Sequence, residues 1–78
     1  MTPLSSSNLS GYDYNPGNQT LVIYFHGGRP YTYKQVPDDI ASGLASASSA
    51  GRYFNENIKN IFDCSPGNQL TQGYEEKA

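Results

Sequence analysis

The chain has 78 residues, enough for one domain near the lower size limit for a self-sufficient core. A net charge of −2, a pI of about 5.0 and only five scattered basic residues argue against a protein that grips nucleic acid mainly by neutralising phosphates. A single cysteine, Cys64, excludes an intrachain disulfide.

In chain order, residues 1–5 are small and polar, and a flexible N-terminus is expected there. Residues 8–14, NLSGYDY, suit a short first strand. NPGN at 15–18 is turn chemistry, because Pro presets one φ and Gly admits a positive one. QTLVIYFH at 19–26 is the best strand, rich in β-branched and aromatic residues. Gly27 and Gly28 break it as a hairpin does. The chain returns through PYTYKQ at 30–35, with Pro30 suited to a strand start or edge.

Val36-Pro37 opens a helix over 37–47, with Asp38 and Asp39 facing its positive end. Ile40, Leu44 and Ala47 share one face of it. Gly43 weakens the helix and would admit a close approach to the sheet. Ser48 or Ser49 is a good N-cap for a second helix over 50–62. That helix sets Phe54, Ile58, Ile61 and Phe62 on one face and pairs Arg52 with Glu56 four residues on. Asn55, near Gly51, would cap or tie down the 48–51 turn. From 63 to 78 the chain is polar and aperiodic, and a flexible tail is expected. These elements give an α+β fold class, a three-stranded antiparallel β-meander followed by two α-helices packed on one face, with residues 6–62 as the domain.

Register decides where the tyrosines point, since a one-residue slip turns every side chain over. A three-residue loop at 27–29 sets Phe25 opposite Tyr31 and Ile23 opposite Tyr33. A loop at 15–18 sets Tyr12 opposite Leu21. Leu21, Ile23, Phe25, Tyr31 and Tyr33 then share the face the helices cover. A two-residue loop would instead turn Thr32 and Lys34 toward the apolar side, so the first register is preferred. Tyr31 and Tyr33 thereby read as core, with base stacking the functional alternative. The opposite face carries Val22, Tyr24, His26, Thr32 and Lys34, an exposed strip with Arg29 near the hairpin tip. Tyr24, His26, Arg29, Thr32 and Lys34 are the candidate contacts for RNA or a partner. The apolar share from Val22 and Tyr24 equally suits a homodimer or another protein. One His and one Cys cannot build a four-ligand zinc site, and a Cys–His nucleophile needs spatial adjacency and an orienting group. Neither catalysis nor a cofactor is expected. No apolar run approaches membrane-spanning length and no leader pattern opens the chain, so a cytoplasmic protein without membrane contact is expected.

SSN at 6–8, TLVIYF at 20–25, Gly28, YTY at 31–33, VP at 36–37 and SAGRYFNENI at 49–58, in this order and spacing, resemble the KTSC domain family. Tyr31, Tyr33, Gly51, Phe54 and Asn55 fall on the family's signature and are read as structural. The resemblance implies a small α+β domain. Such domains stand alone in bacterial and phage proteins or are appended to some lysyl-tRNA synthetases. It implies RNA or tRNA binding only by that association. The chain departs from the family at IKNIFDCSPG, where a short basic and aromatic run often stands. The reading that results is a non-catalytic module for RNA or tRNA; the alternative is a protein-interaction or self-associating module.

Overall fold

The structure, a computed structural model, describes residues 1–68. Strands β1 (Thr2–Pro3), β2 (Leu9–Asn15), β3 (Thr20–Phe25), β4 (Tyr31–Tyr33) and β5 (Cys64–Pro66) form one sheet in sequence order, every pair antiparallel. Helices α1 (Asp38–Ser46) and α2 (Ala50–Asn57) come between β4 and β5. The expected three-stranded meander is the centre of a five-stranded sheet. The added edge strands lie in the stretches expected to be flexible ends, and residues 69–78 of that tail lie outside the described residues. Each edge strand is two or three residues long and contains a proline. Proline is tolerated only where the ladder is one-sided, so neither strand carries a β-periodic signal. The same features keep these edges from templating another chain.

The ladders pair Tyr14 with Leu21, Tyr12 with Ile23, Leu21 with Tyr33 and Ile23 with Tyr31. Both are slid by two residues from the expected register. A slip of two keeps every side chain on its face, so Tyr12, Tyr14, Leu21, Ile23, Tyr31 and Tyr33 share one side as anticipated. Both helices cover that side. Leu21, Ile23 and Tyr33 pack in one cluster with Val36, Ala41, Leu44, Phe54 and Ile58. Fully burying a Leu or Ile side chain contributes about 1.5–3 kcal/mol, so this face carries most of the stability.

The helices depart from the expected pattern in their packing and their length. Gly43 opens α1 to Tyr53 of α2 and not to the sheet. The Tyr53 hydroxyl donates to the Ile40 carbonyl at 2.8 Å, and a Cβ at position 43 would overlap the Tyr53 ring. Helix α2 starts at Ser49, whose Oγ accepts from the Arg52 N–H at 3.3 Å. It ends at Asn57, five residues before the expected 62. The N–H groups of Ile58 and Lys59 both bond to the Phe54 carbonyl, at 3.0 and 2.9 Å. Those of Ile61 and Phe62 then bond to the Ile58 carbonyl, with Asn60 left-handed at φ 65°. Asn favours such turns over helix interiors. The reversal buries Ile58, leaves Ile61 59% exposed and aims the chain back to the sheet edge as β5. Ile61 is therefore not on the core face that helical periodicity assigned to it. No helix among the described residues is long and apolar enough to cross a membrane.

Candidate functional site: an aromatic cleft beside the second helix

The centre of the sheet face away from the helices is buried. Val22 and Thr32 are 0% and 1% exposed, which corrects the expectation of an open strip. Polar bonds also cross this face. The Tyr24 hydroxyl donates to Asp13 Oδ2 at 2.7 Å and accepts from Asn68 Nδ2 at 2.8 Å. Asp13 Oδ1 lies 3.2 Å from the Met1 ammonium. The Thr32 hydroxyl donates to the Gly67 carbonyl at 2.7 Å. Burial, and then the bond to Asp13, push the Tyr24 hydroxyl up to about 12. His26 is exposed, and its Nε2 lies 2.9 Å from the Ser6 carbonyl. A carbonyl only accepts, so that nitrogen carries the proton. His26 thereby ties the segment before β2 to the end of β3. Arg29 and Lys34 are exposed, before and after β4. The five candidate contacts therefore do not make one surface, since Tyr24 and Thr32 are spent on internal bonds.

The helix-covered side holds a cleft of about 370 Å³ lined by Asn8, Phe25, Tyr31, Tyr33, Phe54, Asn55, Lys59, Asn60, Phe62 and Cys64. Its floor is a set of edge-to-face rings. Tyr33 meets Phe54 at 5.6 Å, Phe54 meets Phe25 at 5.7 Å, and Phe25 meets Tyr31 at 6.0 Å. Tyr33 and Phe54 are buried, while Phe25, Tyr31 and Phe62 are half-buried. Asn8, Asn55, Lys59, Asn60 and Cys64 are exposed at the rim.

Each rim residue is held by a separate local device. Ser6 Oγ accepts from the N–H groups of Asn8 and Leu9, both at 3.1 Å, which fixes the entry to β2. Asn55 projects from α2, and the turn ending that helix presents Lys59, Asn60 and Phe62. Cys64 sits in β5 directly opposite Tyr33. Burial above all, then the Cys64 thiol and Tyr31, push the Tyr33 hydroxyl up to about 12, so it is a neutral phenol at physiological pH.

Four of the five signature residues, Tyr31, Tyr33, Phe54 and Asn55, line this cleft. Tyr33 is core, as the register argument requires, while Tyr31 is only half-buried. Asn55 stands on the rim, and the turn it was expected to tie is capped by Ser49. At Gly51, in the first turn of α2, an added Cβ would lie 3.4 Å from Ser6 Oγ. Sequence alone does not single out Asn8, Lys59, Asn60 and Phe62 as site residues. The available signal is the alternation of amides with Lys59 over 55–60, which helical periodicity assigns to a solvated surface. Half-buried rings can stack a planar group. Carboxamides offer a donor and an acceptor each, and Lys59 offers one positive charge. Among the described residues the lining has no carboxylate and no histidine. No group of three His, Cys, Asp or Glu residues among them could hold a metal ion.

A small antiparallel sheet covered on one side by two helices, with an aromatic cleft at their junction, defines a small α+β domain. The chain belongs to the KTSC domain family, whose model matches residues 5–62. A KTSC domain protein of Yersinia pestis has a crystal structure similar to this one. Its TM-score is 0.82 at 36% identity, covering 86% of this chain and 94% of that one. A protein of Tsukamurella paurometabola is 37% identical over 62 residues, 80% of this chain and 92% of its own length. An uncharacterised protein of Stutzerimonas stutzeri is 39% identical over 56 residues, 72% and 79% of the two chains.

Proposed function

We propose that this domain is a non-catalytic module that binds single-stranded RNA, including exposed loops of tRNA, through the aromatic cleft. The observation that carries the reading is the cleft lining. It combines stacking surfaces, three carboxamides and one lysine, with no carboxylate to repel a phosphate among the described residues. RNA, as the ligand class, enters this reading only through the analogy with a tRNA enzyme that the resemblance implies. The site differs from the strip anticipated from sequence. Tyr24 and Thr32 have other partners, and Arg29 and Lys34 act at most as outlying charges.

The test is a chemical-shift titration of the full chain with a single-stranded oligoribonucleotide at low salt. The resonances of Tyr31, Asn55, Lys59 and Asn60 should move together. Shifts confined to Tyr24, Thr32 and Lys34, or none at all, would refute the cleft as the RNA site.

A second reading, self-association, has one observation in its favour: Ile61 is a large apolar side chain left 59% exposed. The Val22 patch that the sequence offers for it is buried. A strictly monomeric chain by sedimentation at high concentration rules this reading out.

A further inference from the structure

We infer that the cleft is a one-nucleotide pocket, which takes a single unstacked base against Tyr31 and Phe62, reads its edge with Asn55 and Asn60, and holds the adjoining phosphate at Lys59. This narrows the ligand of the reading above and rests on it. The volume, about 370 Å³, lies at the low end for small-molecule sites, so it suits one nucleotide-sized group and not a run of stacked bases. Tyr31 and Phe62 are half-buried beside the buried Tyr33 and Phe54, so aromatic surface remains for a planar guest. Base edges mix donors with acceptors, and a carboxamide is the neutral side chain that answers both. One lysine with no lining carboxylate among the described residues matches one phosphate. An extended peptide is the poorer guest. Strand addition needs a pairable edge, and the outer edge at β5 is only three residues long and contains a proline.

The pocket has a built-in reporter, because the chain's single thiol, Cys64, is exposed on its rim. The full chain is titrated with each of the four ribonucleoside 5′-monophosphates, with inorganic phosphate, and with a single-stranded oligoribonucleotide. Side-chain amide shifts and the rate of Cys64 alkylation are followed. At least one monophosphate should move Asn55, Asn60 and Lys59 and slow the alkylation, and inorganic phosphate should not protect Cys64. Asn55→Ala and Lys59→Ala, both at exposed positions, should each weaken the nucleotide about fivefold. Tyr31→Leu should weaken it about tenfold or more.

If the oligonucleotide shifts the cleft and no monophosphate does, the one-nucleotide pocket is wrong while the RNA-binding reading stands. If a monophosphate binds and the oligonucleotide does not, the pocket stands with free nucleotide as its source, and the RNA reading falls. If neither binds, both fall. Binding unchanged in both Asn55→Ala and Lys59→Ala would overturn the assigned roles.

Discussion

Tyr24 and Tyr33 hold their protons to about pH 12 in the fold, against 10.0 for an ordinary phenol. An unfolded chain releases both near pH 10, so between the two values the folded state binds more protons. The stability these groups contribute is fully present below pH 10 and drains away as pH rises toward 12. Urea midpoints should therefore fall steeply over that window, and Tyr24→Phe should flatten part of the fall. A flat stability profile from pH 9 to 12 would contradict the buried, bonded state of these rings.

Two glycines give a sharper residue-scale contrast. Gly→Ala in a helix normally stabilises by about 0.5–1 kcal/mol. At Gly43 the new methyl displaces Tyr53 and breaks its bond to the Ile40 carbonyl, so Gly43→Ala should destabilise by about 1–3 kcal/mol in denaturant unfolding. At Gly51 the nearest atom would be Ser6 Oγ at 3.4 Å, an ordinary contact, so Gly51→Ala should be neutral or slightly stabilising. The same substitution thus has opposite expected signs in neighbouring helices.

At the scale of elements, β5 depends on two bonds just beyond it. Thr32 donates its hydroxyl to the Gly67 carbonyl at 2.7 Å, and the Gly67 N–H bonds to the Pro30 carbonyl at 2.7 Å. Thr32→Val keeps the shape and removes the first bond, which should cost about 1 kcal/mol. Hydrogen exchange at the Gly67 amide should quicken more than exchange in the β2–β3 ladder. Equal effects at the two places would mean that β5 is not separately anchored. The central strands and both helices are legible in the sequence because their signals are local: β-branched runs, the NPGN turn, Pro37 before two aspartates, Ser49 as a cap. The helix-facing set of side chains is legible too, because burial fixes the parity of the register, although not its alignment. Strands β1 and β5 are not, since TP and CSP have no periodicity and exist only through pairing. The buried centre of the far face is invisible for a related reason. Asp13, Tyr24 and Asn68 are distant in sequence, and only the fold makes them partners. The cleft is half legible. YTY and YFN stand out as signature, but the early end of α2 that swings Lys59, Asn60 and Phe62 beside them does not.

At the scale of the whole molecule, charge and cleft make one statement. A chain with net charge −2 and only five scattered basic residues has few cations to lay along an RNA backbone. Stacking and edge reading in a small cleft need no such row of cations, because they act on one base at a time. Lys59 is the single cation among the described residues that line the cleft. Binding should therefore release about one counterion, whereas a backbone-tracking protein of this size would release several. The decisive measurement is the affinity of the full chain for a single-stranded oligoribonucleotide across a range of salt concentrations. A plot of log K against log salt should have a shallow slope of about −0.7, the value for one neutralised phosphate on a single strand. A slope of about −2 or steeper would mean three or more phosphate contacts, and would contradict recognition through the aromatic cleft.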